Sequence, residues 1–324
     1  MPGRPDPAER GRTVSGTRPA TGHQHEIRRG AMTARVGEVA AVLREFSVDG
    51  THFTEVWDDD WVPPMGCGIV LVPWPNRIKD ATWIYQDKPQ KLDITDLSLG
   101  HATHGLLRNT AYQVISQAEA SVTLAASVYP QHGYPFTLDT SVTYALHDDG
   151  LRITHYLQNV GEAAAPFGVG AHPYLRVGEH PVADLTITLS GTDYARVDER
   201  LIPVAVEPVE GTANDLRGGV LLSDLDADVA LTGFAVSDGR VEHRLAAPDG
   251  TGLVVWADAE FGWAQVFSPS IFPGPGKPDQ RKAVAIEPMT CAVNAFNTGI
   301  GLRWLDPGES WTASWGLRPE GLFR

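Results

Sequence analysis

Apolar residues recur at every second position along much of this chain, and Asp-Gly pairs punctuate them. The clearest stretch is residues 137–159, "TLDTSVTYALHDDGLRITHYLQN". Val142, Tyr144 and Leu146 alternate with polar neighbours. Asp148-Asp149-Gly150 then turns the chain, and Leu151, Ile153 and Tyr156 resume the apolar face. A period of two puts successive side chains on opposite faces of an extended strand, so one face can be buried while the other meets water. Glycine accepts the positive φ that a tight hairpin turn demands. The pattern returns in "FAVSDGRVEHRLAAPDGTGLVVWAD", with Asp238-Gly239 and Asp249-Gly250 as turns, and in Leu185, Ile187 and Leu189.

Helical spacing is scarce. "MTARVGEVAAVLREFSV" has a helix-like composition, but Val and Phe are frequent and "VDG" follows, so it reads as two short strands broken near Gly37. Elsewhere no segment keeps i, i+3, i+4, i+7 spacing over a dozen residues. The 33 glycines and 24 prolines suit a chain with many turns. "SPSIFPGPGKPDQRK" reads as loop. Turn signals run at steady intervals from about residue 35 to the end, with no linker and no internal repeat. Residues 1–22 are polar, basic and rich in Pro and Gly, which predicts a disordered leader without the apolar stretch of a signal peptide. Residues 23–324 then form one domain, large enough to bury about three quarters of its unfolded surface. The expected fold is all-β, a large antiparallel sandwich of many strands.

The 26 Lys and Arg against 40 Asp and Glu leave a net charge of −14. Such a field disfavours nucleic acid and anionic membrane surfaces as partners and favours a neutral small molecule. Cys67 and Cys291 are the two cysteines. They show no metal-ligand spacing and nothing in the sequence requires them to pair. Without a run of about 18 apolar residues no transmembrane helix is expected, and the chain reads as cytoplasmic.

Five places could carry chemistry. In "VPWPNRIKD" two prolines force an irregular path before Asn76 and Arg77, where a rigid loop could present a polar fork to hydroxyls; a surface Arg in a turn is the bland alternative. "GHATHGLLRN" holds His101 and His104, with Gly105 allowing close backbone approach. The flanking glycines argue against the helix that an i, i+3 metal pair needs, and a capping His is the alternative. In "APFGVGAHPYLRV", His172 is shielded by Phe167, Val169 and Tyr174, so it is either a satisfied core histidine or a proton donor with a tunable pKa. "LSDLDADVALTG" offers Asp224, Asp226 and Asp228, but lacks the Gly and the terminal Glu of a calcium loop. "FGWAQVFSP" puts Trp263 and Gln265 on an apolar strand, which suits a sugar ring through stacking and amide hydrogen bonds. A sixth feature joins them. In "AVAIEPMT" an apolar run ends in Glu287, which either points into water or is a held proton acceptor. A shielded His and a shielded Glu form an acid–base pair with separable pKa values and need no metal.

The motifs "PWPNRI", "HGLLRN", "GAHPYL", "LDADVALT", "WAQVF" and "IEPMTCAVNAF" resemble, in order and spacing, the aldose 1-epimerase (galactose mutarotase) family, over roughly residues 22–320. "EPMTCAVNAFN" is most similar to its bacterial hexose epimerase branch. The resemblance implies a β-supersandwich, no cofactor or metal, and interconversion of the α and β anomers of a free aldose of the glucose or galactose type by a monomer or homodimer. It places the catalytic base on Glu287 and the catalytic acid on His172. It places sugar-binding groups on Asn76, Arg77, His104 and Gln265. The binding Asp falls within "DADVALT", on Asp228 in preference to Asp226. Leu231 stands where relatives often carry Phe. The implied geometry has the two proton carriers on opposite sides of one pyranose.

Three rivals follow from the same residues. Asp228 and Glu287 could serve a glycosidase. A non-catalytic sugar-binding protein needs the binding residues alone. A hexose-6-phosphate epimerase needs an added basic cluster, for which Arg108 and Arg176 are candidates against the net charge of −14.

Overall fold

The computed structural model describes residues 18–274 and 277–322. Nearly all its regular structure is antiparallel β, and among the described residues the α-helix is a single turn, Ala295–Thr298. Two large sheets enclose the main core. The first has nine strands, running from Gln113–Ala118 through Ser121–Val128, Leu138–His147 and Gly150–Asn159 to Ser310–Glu320, then Gly252–Asp258, Arg240–Ala246, Thr186–Leu189 and Val220–Leu221. The strand near the C-terminus, Ser310–Glu320, sits between two hairpins that are each local in sequence. The sheet therefore joins its local hairpins through the two long-range pairings that this strand makes, one on each side.

The second sheet has eight strands. Its path is Pro203–Pro208, Asp193–Val197, Asp228–Thr232, Trp263–Phe267, Val284–Met289, Gly170–Ala171 and Val70–Leu71, and Tyr174–Leu175 also pairs with Val284–Met289. Ile153, Leu253 and Val255 of the first sheet and Val266 and Ile286 of the second are all fully buried in one continuous apolar cluster. A small four-stranded sheet, Gln24–Arg29 to Thr51–His52, packs against Leu138–His147.

The Asp148-Asp149 turn joins His147 to Gly150 as the alternation predicts. Val142, Tyr144, Leu146, Leu151 and Ile153 face the core. Tyr156 does not. The parity set by Leu151 continues through His155 and Leu157, so Tyr156 lies on the other face and is half-buried. The expected pair of strands around Gly37 is present as Met32–Gly37 and Leu43–Val48. The segment read as loop contains a short hairpin, Phe272–Gly274 with Lys277–Arg281. Phe272 anchors it, fully buried against the Tyr174 ring at 4.6 Å. Of the expected leader, residues 1–17 lie outside the described residues; Thr21 is fully buried and accepts a hydrogen bond from Arg44 Nη1 at 3.1 Å.

Candidate active site

The second sheet has one face in the core and another turned away from it, and alternation assigns side chains between them. On Val284–Met289, Val284 and Ile286 enter the main core, so Ala285, Glu287 and Met289 project from the opposite face. Residues paired across an antiparallel ladder project to the same side. Gln265 is paired with Glu287 and with Ala230. Phe267 is paired with Ala285 and Asp228, and Tyr174 with Ala285. One face of the sheet therefore displays Asp228, Gln265, Glu287, Phe267 and Tyr174 above the small side chains of Ala230 and Ala285.

Loops add the remaining groups. His172 lies between Gly170–Ala171 and Tyr174–Leu175, where its N–H donates to Ile69 O at 3.1 Å and its carbonyl accepts from Gly68 N at 2.7 Å. Its ring stacks on Tyr174, with centroids 5.3 Å apart and planes 15° from parallel. The edge of His104 meets it at 5.3 Å. Asn76 (φ 52°) and His104 (φ 62°) both adopt left-handed backbone, and His104 N donates to Asn76 O at 2.9 Å. Gly105 follows with φ 73°, and a Cβ there would lie 2.0 Å from Val72 O, so this close approach requires glycine.

The polar side chains form a directed chain. Arg77 Nη1 donates to Asn76 Oδ1 at 3.2 Å, Asn76 Nδ2 to Gln265 Oε1 at 3.2 Å, and Gln265 Nε2 to Asp228 Oδ1 at 2.6 Å. Each amide is thereby held in one orientation. Arg77 Nε also faces Asp96 Oδ2 at 3.5 Å. Asp226 makes no hydrogen bond to this chain; Asp228 is the carboxylate that Gln265 grips.

Glu287 is 2% exposed and His172 5%, and Glu287 Oε1 lies 3.4 Å from His172 Nε2. The carboxylate that ends the "AVAIE" run does not point into water. The two groups stand side by side, not on opposite sides of a ring-sized gap, because the strand bearing Glu287 is hydrogen-bonded to the segments flanking His172. Burial, reinforced by the charge of Asp228, pushes the Glu287 carboxyl well above its usual range, and Arg77 opposes this. Burial, with a smaller push from Arg108 and Arg77, lowers His172 to about 4. Burial also holds His104 well below its ordinary value, with His172, Arg108 and Arg77 adding to the effect. Asp228 is open to solvent, yet the protein around it raises its pKa, while Arg77 and Gln265 pull it down. Glu287 Oε2 and His104 Nδ1 are buried without a partner among the described residues. Such groups are stable only if something else satisfies them.

The sequence singled out every member of this cluster except its supports. Tyr174, which backs the His172 ring, read as a mere shield. Asp96, which braces Arg77, stands in no motif. Trp263 is not an open stacking face; it is 7% exposed and packs with Ala195, Met289 and Val293, while Phe267, four residues along on the same side, is more open. His101 takes its bland reading: Nδ1 accepts from Asp80 N at 3.0 Å and Nε2 meets Arg200 O at 3.1 Å. Cys67 and Cys291 are both free and buried.

Residues 23–318 match the aldose 1-epimerase family. The chain belongs to that family. As a member of the aldose 1-epimerase family, it is 32% identical over 290 residues to an uncharacterised Escherichia coli K12 protein, YihR, spanning 89% of this chain and 91% of that one. Human galactose mutarotase is 37% identical over 108 residues, 32% of this chain and 31% of the human protein. Among solved structures, a Caenorhabditis elegans aldose epimerase homologue superposes with a TM-score of 0.82 at 20% identity, covering 92% of this chain and 98% of that one. A putative aldose 1-epimerase from E. coli K12 gives 0.78 at 21% identity, covering 93% and 99%. These likenesses carry the galactose mutarotase-like fold. Membership of the aldose 1-epimerase family supports a sugar epimerase, an isomerase, in carbohydrate metabolism. Among the described residues no helix is long and apolar enough to cross a membrane.

Proposed function

We propose that the protein is an aldose 1-epimerase that interconverts the α and β anomers of a free hexose, with Glu287 and His172 as its proton carriers. The observation that carries this reading is the 3.4 Å approach of Glu287 Oε1 to His172 Nε2 beside Gln265 of the Arg77–Asn76–Gln265–Asp228 chain. The anomeric hydroxyl and the ring oxygen of a pyranose share one carbon. An acid and a base that serve both oxygens therefore belong side by side, and opposed placement is unnecessary.

Anomer exchange needs one proton on the pair. Without sugar, burial favours the uncharged arrangement, with the proton on Glu287 and His172 neutral. A bound sugar reverses this: a hydroxyl donating to Glu287 Oε2 supplies the hydrogen bond that stabilises the carboxylate, and Arg77 favours its charge. Glu287 then takes the proton of the anomeric hydroxyl as His172 protonates the ring oxygen. The C1–O5 bond opens to the aldehyde, C1 rotates, and the ring closes with the roles reversed. Asp228, Gln265, Asn76 and Arg77 hold the remaining hydroxyls, and Ala230 and Ala285 leave room for the ring. General acid and base steps contribute about 10²–10⁴-fold each, enough for a useful acceleration without a cofactor.

Polarimetry tests the reading. Crystalline α-glucose or α-galactose should reach its equilibrium rotation faster with protein, and Glu287→Gln or His172→Ala should abolish the effect. Sugar binding that survives Glu287→Gln alongside a wild-type protein that accelerates no aldose would instead establish a non-catalytic sugar-binding protein.

A further inference from the structure

A concavity of about 690 Å³ lies on the face of the nine-stranded sheet turned away from the core. None of the residues assigned to the site above lines it. Its floor is made of short side chains, Ala125, Ser127 and Ser141, on neighbouring strands. Tyr156 and Gln158 rise on one flank and Gln113 and Ile115 on the other. The segment Leu106–Ala111 forms a further wall, and Tyr129 and Gln131 stand at the end of the strand Ser121–Val128.

The chemistry of this lining is selective. It presents three carboxamides, the hydroxyls of Ser127, Ser141 and Tyr156, and one carboxylate, Asp139. Among the described residues no lysine, arginine or histidine lines the cleft, and so none of them would hold a phosphate or a sulfate there. The amides are only loosely engaged: Gln131 Nε2 and Gln158 Nε2 reach main-chain oxygens at 3.4 Å, near the limit of a hydrogen bond. Asp139 Oδ1 accepts from Ser127 at 2.6 Å, which aims that hydroxyl along the floor and leaves Oδ2 open. Two phenol rings complete the lining, and Tyr129 is 68% exposed, so its ring is available to a ligand. Ring faces beside amides and hydroxyls match the alternating CH and OH groups of a pyranose. A volume between about 300 and 1,000 Å³ is normal for a small-molecule site.

We propose that this cleft is a second saccharide-binding site, separate from the acid–base pair, which takes a neutral mono- or disaccharide. Because it is open on one side, its affinity falls on the order of millimolar.

Amide chemical-shift mapping with maltose and with glucose tests this, using the full chain carrying Glu287→Gln and Asp228→Ala to silence the first site. The expected result is saturable shifts at Ser127, Ser141 and Tyr156. In the same background Tyr156→Ala should weaken binding about tenfold, the loss expected for one aromatic contact. In the otherwise native protein Tyr156→Ala should leave the mutarotation rate unchanged. Ser141→Trp, which fills the cleft from its solvent side, should abolish the shifts and serves if Tyr156→Ala does not fold. Shifts confined to the neighbours of residues 265 and 287, shifts that never saturate, or binding indifferent to both cleft variants would overturn the proposal.

Discussion

Gln265 stands directly opposite Glu287 in the sheet, yet its amide turns sideways to Asp228, at 2.6 Å, and to Asn76, at 3.2 Å. Among the described residues the Glu287 carboxylate is thus left with His172, 3.4 Å away, and one oxygen without a partner. Removing the amide should undo the binding chain without touching the pair. Gln265→Ala is expected to lower kcat/KM by about 10- to 100-fold, the scale of one or two lost hydrogen bonds to a charged group. Most of the loss should appear in KM, since the proton carriers remain. Steady-state mutarotation kinetics check this, and an unchanged KM would remove Gln265 from sugar binding.

The rate should depend on pH through the proton count of the pair. As pH falls through about 4, His172 is protonated while Glu287 still holds its proton, and no base remains. As pH rises through the elevated Glu287 value, the last proton leaves and no acid remains. The profile of kcat/KM is therefore a bell whose alkaline limb lies above the usual carboxylate range. Asp228 raises Glu287 through its negative charge. Asp228→Asn removes that charge, makes Glu287 easier to ionise and should move the alkaline limb to lower pH. A limb that stays in place or moves upward would contradict the assignment.

Gly105 tests how the loop presents His104. At φ 73°, with Val72 O only 2.0 Å from where a Cβ would sit, Gly105→Ala cannot be accommodated without moving the loop. We expect a loss of more than about 2 kcal/mol in unfolding free energy, together with lower mutarotation activity. Denaturant melts paired with rate measurements separate the two effects. A variant of native stability and full activity would show that the loop tolerates displacement.

Acid should destabilise the fold through histidines buried as neutral groups. Burial lowers His155 to about 3 and His243 to about 4 from an ordinary 6.5. Between those values the unfolded chain binds protons that the folded chain does not, so stability rises with pH across this window. The stabilising effect is complete above pH 6.5 and is lost as pH falls toward 3–4. His243→Leu should flatten the fall in Tm between pH 6.5 and 4, and thermal melts across that range would reveal it.

Local pattern determined much of this protein from its sequence alone. The strands around Gly37 and the Asp-Gly hairpins are written in period-two alternation and turn residues, because those choices depend on a few adjacent side chains. The seven residues brought to the site were legible as motifs for the same reason: prolines, glycines and an apolar run mark where a polar group is being held. Parity over a long strand was less legible. Tyr156 and His155 compete for the core face, and His155 takes it because the strand runs from Leu151 to Asn159 without a bulge, which keeps the parity of Leu151 and Ile153.

Tertiary structure alone decided that Glu287 and His172 touch, that they stand side by side, and that Gln265 chooses Asp228 over its direct neighbour. It also decided that Trp263 is packed away while Phe267 stays open. These outcomes rest on pairings between strands far apart in the chain and on how deeply each group is buried. Contact and desolvation are properties of the assembled sheet, and no short stretch of sequence contains them.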